Sequence, residues 1–316
     1  MSKYLVKRVL LAILSILIVS AITFFVMNLI PGGPFNKEKA TSKEAQQVLE
    51  ERYNLDKPVP EQYVLYMNNL LHGDWGVSLH SGRNIGTEIS RKFAVSAKLG
   101  GVAAIVAIII GVILGSIAAL TRNKLPDRLI VFFTTLGTAM PSFVLATLLL
   151  LVFCLKLGWI PVWSSSNPNY LNVFIKSLKM GLITTGICVV FAYPMAYITR
   201  LTKTSMLDAL NQDYIRTARA KGVHRLKVIF KHALKNALIP VVTYVGPMVA
   251  YILTGSMVVE NIFTIGGLGT EFVTSIVNRD YTMIMAITIF LAVLMVVANL
   301  LTDIAYKLID PRITFE

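Results

Sequence analysis

A chain of 316 residues, 55% hydrophobic and 15% charged, with a mean hydropathy of +0.67, is too apolar for a soluble protein, in which about 25% of residues are charged. Two cysteines, Cys154 and Cys188, exclude a disulfide scaffold and have no spacing that suggests zinc or redox chemistry. The formal charge of +13 would suit a nucleic-acid binder, but its placement along the chain points to membrane topology instead.

The apolar residues run in blocks. A bilayer core about 30 Å thick requires roughly 20 apolar residues per helical span. Six blocks qualify: Val9–Ile30, Leu99–Leu120, Leu129–Phe153, Met180–Thr199, Ile239–Val259 and Met283–Thr302. None contains Asp, Glu, Lys, Arg or His. Each is expected to be a helix, because lipid offers no partner to unpaired backbone, and neighbouring helices re-satisfy groups freed by Pro194 and Pro247 in the fourth and fifth. Lys3, Lys7 and Arg8 precede the first block. Its apolar run exceeds the roughly 7–15 residues of a signal h-region, and no small-residue cleavage site precedes Pro31-Gly32-Gly33, so a retained first helix is expected.

Basic residues orient the spans. With the N-terminus inside, segments 1–8, 121–128, 200–238 and 303–316 carry 17 Lys and Arg, against 4 in the outer segments 154–179 and 260–282. The outer loop 31–98 carries 9 basic and 8 acidic residues and is too long to bear on this rule. Both termini are therefore expected in the cytoplasm of a multi-pass cell-membrane protein. The lipid bilayer, and not nucleic acid, explains the charge.

Within the outer loop, Thr41-x-x-Glu44 forms a capping box ahead of a helix to about Tyr53. Pro60 opens a second helix, with Tyr63, Tyr66, Met67, Leu70 and Leu71 on one face and Gly73 closing it. Trp75 follows at interfacial height. His72 and His80 lack companion ligands, so no metal site is expected. In the second span, Ala103, Ala107, Gly111, Gly115 and Ala119 recur every four residues, a stripe that lets helices approach closely; it suits a subunit interface or an internal contact. Pro141 and Ser142 in the third span, and Thr243, Gly246, Pro247 and Thr254 in the fifth, are candidate pathway-lining residues, since proline, glycine and hydroxyls kink a span or line a watered cavity.

Between the fourth and fifth spans, Asp213–Gly222 has the punctuation of a short helix. Asp213 stands at the N-cap position, Lys221 at the negative end of the dipole, and Gly222 at the left-handed C′ position. Tyr214, Ile215 and Ala218 share one face, while Arg216 and Arg219 project elsewhere. A second amphipathic stretch places Leu226, Ile229, Phe230, Ala233 and Ala237 on one face, with Lys227, Lys231 and Lys235 on another. A basic loop alone would rest on anionic headgroups; a stopped short helix is built to fit a groove on a partner.

The spans carry no Asp, Glu, Lys, Arg or His of the kind that ion-coupled transporters place at depth, and no charged base for an intramembrane enzyme. No phosphate-binding G-x-x-x-x-G-K-[ST] loop occurs. If this chain moves a solute uphill, the energy enters from another polypeptide.

The run DYIRTARAKG (Asp213–Gly222), nine residues, then HALKNALIPVVT (His232–Thr243) resembles the cytoplasmic signature loop of binding-protein-dependent ABC importer permeases. It is most similar to the peptide/nickel group, with Arg216 and Thr217 in place of the usual Glu-Ala. The likeness extends through PGGPF (Pro31–Phe35), LDKP (Leu55–Pro58), GDWGVS (Gly73–Ser78), VSAKLG (Val95–Gly100), PSF (Pro141–Phe143) and YVGP (Tyr244–Pro247). It continues in TGSMVVENIF (Thr254–Phe263), GGLG (Gly266–Gly269), NRDYT (Asn278–Thr282) and IDPRI (Ile309–Ile313). GGPF, YVGP and TGSMVVE most resemble the B-type permease of oligopeptide importers. Siblings that import dipeptides, glutathione or chelated nickel share the architecture.

The resemblance implies an all-α integral membrane protein, type I ABC importer permease-like, with six transmembrane helices and an extracytoplasmic helical loop between the first two. Residues 1–98 would hold the first helix and that loop, and 99–316 the five-helix core. It implies as partners a second homologous permease, two cytoplasmic ATPases and an extracytoplasmic peptide-binding protein. ATP and magnesium would sit on the ATPases, with no cofactor on this chain. Asp213–Gly222 would be a coupling helix, with Tyr214, Ile215 and Ala218 in an ATPase groove and Arg216 and Arg219 on its acidic rim. The outer loop, through Tyr63, Tyr66 and Trp75, and the glycine turn at Gly267 and Gly269 would dock the binding protein or cover the chain's own helices.

Overall fold

A computed structural model describes residues 2–30, 55–149, 151–152, 156–157, 193–253, 257–263 and 265–309. These residues are helical between turns, apart from one isolated antiparallel bridge of Val77 with Asn84. In chain order they form α1 (Ser2–Leu29), α2 (Val59–Leu71), α3 (Ile85–Leu120), α4 (Leu125–Ala139), α5 (Ser142–Leu149), α6 (Tyr193–Leu210), α7 (Asp213–Ala220) and α8 (Arg225–Lys227). A π-helical stretch, Val228–Leu234, leads into α9 (Lys235–Leu253); α10 (Met257–Ile262), α11 (Leu268–Val277) and α12 (Tyr281–Ile309) follow. The capping box at Thr41 and Glu44, and the helix expected after it, lie outside the described residues.

Among the described residues, Val6–Leu29, Ile85–Leu120, Arg225–Val249 and Tyr281–Asp303 are long and apolar enough to cross a membrane. They overlap the first, second, fifth and sixth expected spans. Residues 180–192 of the fourth lie outside the described residues, and 193–199 open α6. The third differs from expectation: α4 stops at Ala139, Met140 takes extended backbone (φ −82, ψ 131), and α5 restarts after Pro141. Proline bars the helical conformation to the residue before it and supplies no N–H, so a continuous Leu129–Phe153 helix is broken there.

The chain divides into two units. One comprises Met1–Val95, Gly266–Val297 and Phe315–Glu316; the other comprises Ser96–Ile265 and Ala298–Thr314. The sequence division at 98/99 thus differs for 266–297, which groups with the N-terminal part. In the first unit, Ile85, Ile89, Leu268, Met283, Ala286 and Ile287 form a buried cluster, and Phe93 meets Phe290 edge-on at 5.0 Å. Phe24, Met27, Ile284, Met285 and Ile289 form a second cluster, covered by the Tyr63, Tyr66, Met67 and Leu70 face of α2. Pro60 lies in the first turn of α2 and Gly73 ends it at φ +82, as the sequence predicts.

In the second unit the small-residue stripe of α3 packs on α6. A Cβ on Gly111 would lie 2.7 Å from the Ile198 side chain, and one on Gly115 would lie 2.5 Å from the Thr199 carbonyl. Ala103 and Ala107 cluster with Met195, and Ala119 with Met206 and Ala209. The stripe is therefore an internal contact. It permits the close backbone approach that helix association in lipid depends on. α4 and α9 also pack along α6. Asp127 of α4, almost fully buried, pairs with Lys203 of α6 at 2.5 Å and accepts the Asn123 N–H at 2.9 Å.

Candidate functional site

The second unit brings the residues around Asp213–Gly222 into one body. α7 begins at Asp213, and the N-cap is Gln212, whose side chain makes no capping bond. Asp213 is thus the first helical residue and not the cap. Its carboxylate still faces the positive end of the dipole and accepts from Arg216 at 3.3 Å. The C-terminus follows the predicted design: Gly222 has φ +71, its N–H reaches the Arg219 carbonyl at 3.0 Å, and the Val223 N–H reaches Ala218 at 3.1 Å. That is the Schellman arrangement, with Lys221 at the C-cap.

The inner face corrects the expected one. Ile215 is 0% and Ala218 8% exposed, whereas Tyr214 is 40% exposed. Ile215 and Ala218 join Ala119 of α3, Met206 and Ala209 of α6, and Val228, Ile229, Ala233 and Ala237 beyond α7 in one cluster. They are thus not available to a partner's groove. A 3.6-residue period with Ile215 at its centre places Ala218 and Arg219 beside it, and the amphipathic core selects the two apolar side chains nearest the bundle. Tyr214 lies one position off that face, and Tyr214, Arg216, Arg219, Lys221 and Gly222 are left exposed.

The second amphipathic stretch is also re-phased. Ile229, Ala233 and Ala237 are buried as expected, but Val228 joins them, while Leu226 and Phe230 are 57% and 63% exposed. The cause is the π-helical stretch Val228–Leu234. Its wider turn adds a residue per repeat, so a face drawn at 3.6 residues rotates off the core.

The candidate pathway residues divide. Gly246 is a packing position: a Cβ there would lie 2.2 Å from the Thr302 side chain. Its assignment to the pathway is corrected accordingly. Thr243 and Pro247 are exposed on α9, and Pro141 is exposed at the break between α4 and α5. Ser142 opens α5, and Thr254 lies outside the described residues.

All five candidate receptor-docking residues face inward within the first unit. Tyr63 packs against Phe24 with the rings tilted and 5.4 Å apart, and its hydroxyl meets Ser20 Oγ at 2.8 Å. Tyr66 belongs to the same cluster; burial pushes its phenol well above the ordinary range. Trp75 packs edge-on to Phe290 at 6.5 Å. Gly267 and Gly269 are buried, with Gly267 as the N-cap of α11. The outer helix covers its own chain because aromatic rings gain more from burial against α1 than from water. The opposite face of α2 leaves Val64 and Leu71 exposed.

Two features were missed. Glu260, read as loop, lies in α10 at 1% exposure, and Ser96 Oγ donates to it at 2.7 Å. Tyr197 of α6 meets Tyr244 of α9 at 4.3 Å and Tyr193 at 5.9 Å. Spacing of 193 and 197 by one helical turn was the available signal for the tyrosines. For Glu260, no local pattern marks a carboxylate that a distant serine will cover.

A family model for the binding-protein-dependent transport system inner membrane component matches residues 111–315, a stretch that holds α7 and everything it packs against. The chain belongs to that family. The N-terminal model for such membrane components matches residues 1–87, which takes in α1 and α2. Relatives of this inner membrane component include the dipeptide transport system permease protein DppB of Bacillus subtilis, 42% identical over 99% of this chain and 98% of that one. The oligopeptide transport system permease protein OppB of Haemophilus influenzae is 39% identical, and OppB of Escherichia coli 37%, each over 100% of both chains. Its apolar helices and family place it in the membrane as a multi-pass component.

Proposed function

We propose that this chain is the permease subunit of an ATP-driven oligopeptide importer, with the short helix α7 as its coupling helix. It supplies half of a translocation pathway, pairs with a second homologous permease, and takes substrate from an extracytoplasmic peptide-binding protein. Both termini are cytoplasmic, and hydrolysis occurs on two partner ATPases. Relatives named for both oligopeptide and dipeptide transport support a peptide substrate.

The observation that carries this reading is the two-sided build of α7. Its inner face is anchored by Ile215 and Ala218 to the ends of α3 and α6 and to the π-helical stretch. Its outer face presents Tyr214, Arg216, Arg219 and Lys221. A force applied to the outer side therefore moves membrane helices and not a loop. Tyr214, Arg216 and Lys221 are the contact groups for an acidic-rimmed cleft; Gly222 allows the reversal that separates α7 from α8. Thr243, Pro247 and Pro141 face the pathway or the second permease.

The test is reconstitution of the full assembly in proteoliposomes with its receptor. Arg216→Glu and Gly222→Pro should abolish ATP-driven peptide uptake and weaken ATPase co-purification while the chain still inserts. Unchanged uptake in both variants would overturn the coupling assignment.

A further inference from the structure

Beside α7 the second unit has an open recess of ≈ 490 Å³, lined by Ala119 and Leu120 of α3, Leu210 of α6, Arg219 of α7, and Val223, Arg225, Val228 and Ile229. Six of these residues are apolar and two are arginines. Arg216 is occupied by Asp213, whereas Arg219 and Arg225 form no ion pair with a described residue. Two arginine side chains without counter-charge thus share a space whose remaining wall is hydrocarbon.

The recess sits where one span-length apolar helix ends, beside the end of α6. Leu120 is the last residue of the span-length helix Ile85–Leu120, and Leu210 is the last residue of α6. The ends of spanning helices lie at headgroup depth, and basic pockets between such ends bind anionic lipid heads. A soluble anion would satisfy the arginines but leave the apolar wall wet. An acidic partner side chain would be too small to fill the volume. A molecule with one anionic head and adjoining hydrocarbon meets both requirements.

We propose that this recess is a binding site for one anionic phospholipid, its phosphate held by Arg219 and Arg225 and its upper acyl chain against Leu120, Leu210, Val223 and Ile229. A lipid there touches the end of α7 and the ends of α3 and α6 together, so membrane composition biases the element proposed above to receive the ATPase. The site rests on that reading only for its consequence. Lipid binding itself is measured without ATPase and does not depend on which side of the membrane the loop occupies.

The experiment uses the purified full-length chain in neutral detergent, doped with phosphatidylglycerol or phosphatidylcholine, with retained lipid counted by native mass spectrometry. One phosphatidylglycerol is expected to be retained in preference to phosphatidylcholine. Arg225→Gln should weaken that retention about fivefold, the scale of one basic side chain at an anionic surface, and Arg225→Lys should restore most of it. Val223→Trp should expel the lipid by filling the space without altering charge, which keeps the test decisive if Arg225→Gln folds poorly. Equal retention of both lipids, an equal loss in Lys227→Gln, or displacement by millimolar inorganic phosphate would each overturn the proposal. So would a recess that fills only when the ATPase binds.

Discussion

Ser78 donates its hydroxyl to the carboxylate of Asp280, 202 residues further along the chain. The same carboxylate accepts the Leu79 N–H at 3.1 Å, the Thr282 hydroxyl at 3.0 Å and the Met283 N–H at 3.2 Å. Asp280 precedes α12 and reaches its third residue, so it is both the N-cap of that helix and the clasp for the turn at Ser78. Asp280→Ala should lose a cap worth about 1 kcal/mol and leave buried donors unpaired at about 1–3 kcal/mol more. Thermal unfolding in detergent should show a clear fall, smaller for Asp280→Asn, which keeps an acceptor. An unchanged midpoint for Asp280→Ala would remove the clasp from the account.

Ile215 and Tyr214 are neighbours in sequence and should fail differently. Ile215→Ala empties a fully buried site and should cost about 2–5 kcal/mol of stability, visible in the chain by itself. Tyr214→Ala should leave unfolding within about 0.5 kcal/mol of the parent and reduce ATPase co-purification. A destabilised Tyr214→Ala with normal assembly would reverse the two faces of α7.

Close helix contacts predict where a side chain cannot be added. Gly115→Val and Gly246→Val each drive a Cβ into atoms 2.2–2.6 Å away, so overpacking of about 1–3 kcal/mol or more is expected. Gly101→Ala, with nothing within 4 Å of its Cβ, is the tolerated control. Folded yield and melting in detergent read the difference.

Burial alone pushes the Asp127 carboxyl up, but the Lys203 ammonium and the Asn123 N–H, with Arg122, outweigh it and hold it below the ordinary carboxylate range. A folded-state value below the unfolded value means that the pair's stabilisation is present above the unfolded pKa of about 3.9. It is lost as pH falls through the folded one. Asp127→Asn should therefore lower the melting temperature at neutral pH and flatten its fall in acid. A parallel acid profile in the variant would assign the dependence to other carboxylates.

Gly222 has φ +71 with open space around its Cβ position, so the cost of Gly222→Ala is backbone strain alone. Roughly 1–2 kcal/mol is expected, with Gly222→Asn milder because asparagine tolerates that region. Unfolding of the isolated chain measures both. An alanine variant as stable as the parent would place the reversal elsewhere.

Composition and pattern determined much of this protein without coordinates. The charge-free apolar blocks mark membrane helices, because lipid tolerates only self-satisfied backbone. The glycine stop at Gly222, the proline start of α2 and its end at Gly73 were legible because turn geometry is imposed by the residue itself. The run around Asp213–Gly222 carried the family.

Which face of each element looks inward was decided only by tertiary packing. Tyr63, Tyr66 and Trp75 are equally suited to a partner or to their own helices, and burial against α1 and α12 chose the second. Ile215 and Ala218 turned to the core, and the π-helical stretch rotated Phe230 out, because that register lets Val228, Ile229 and Ala233 reach α6 together. Pro141 ended a helix that hydropathy alone continued, and Ser96 covered Glu260 from 164 residues away. Local chemistry sets where a chain bends and what can enter lipid. The choice among apolar faces depends on contacts between residues far apart in sequence, and no local window contains them.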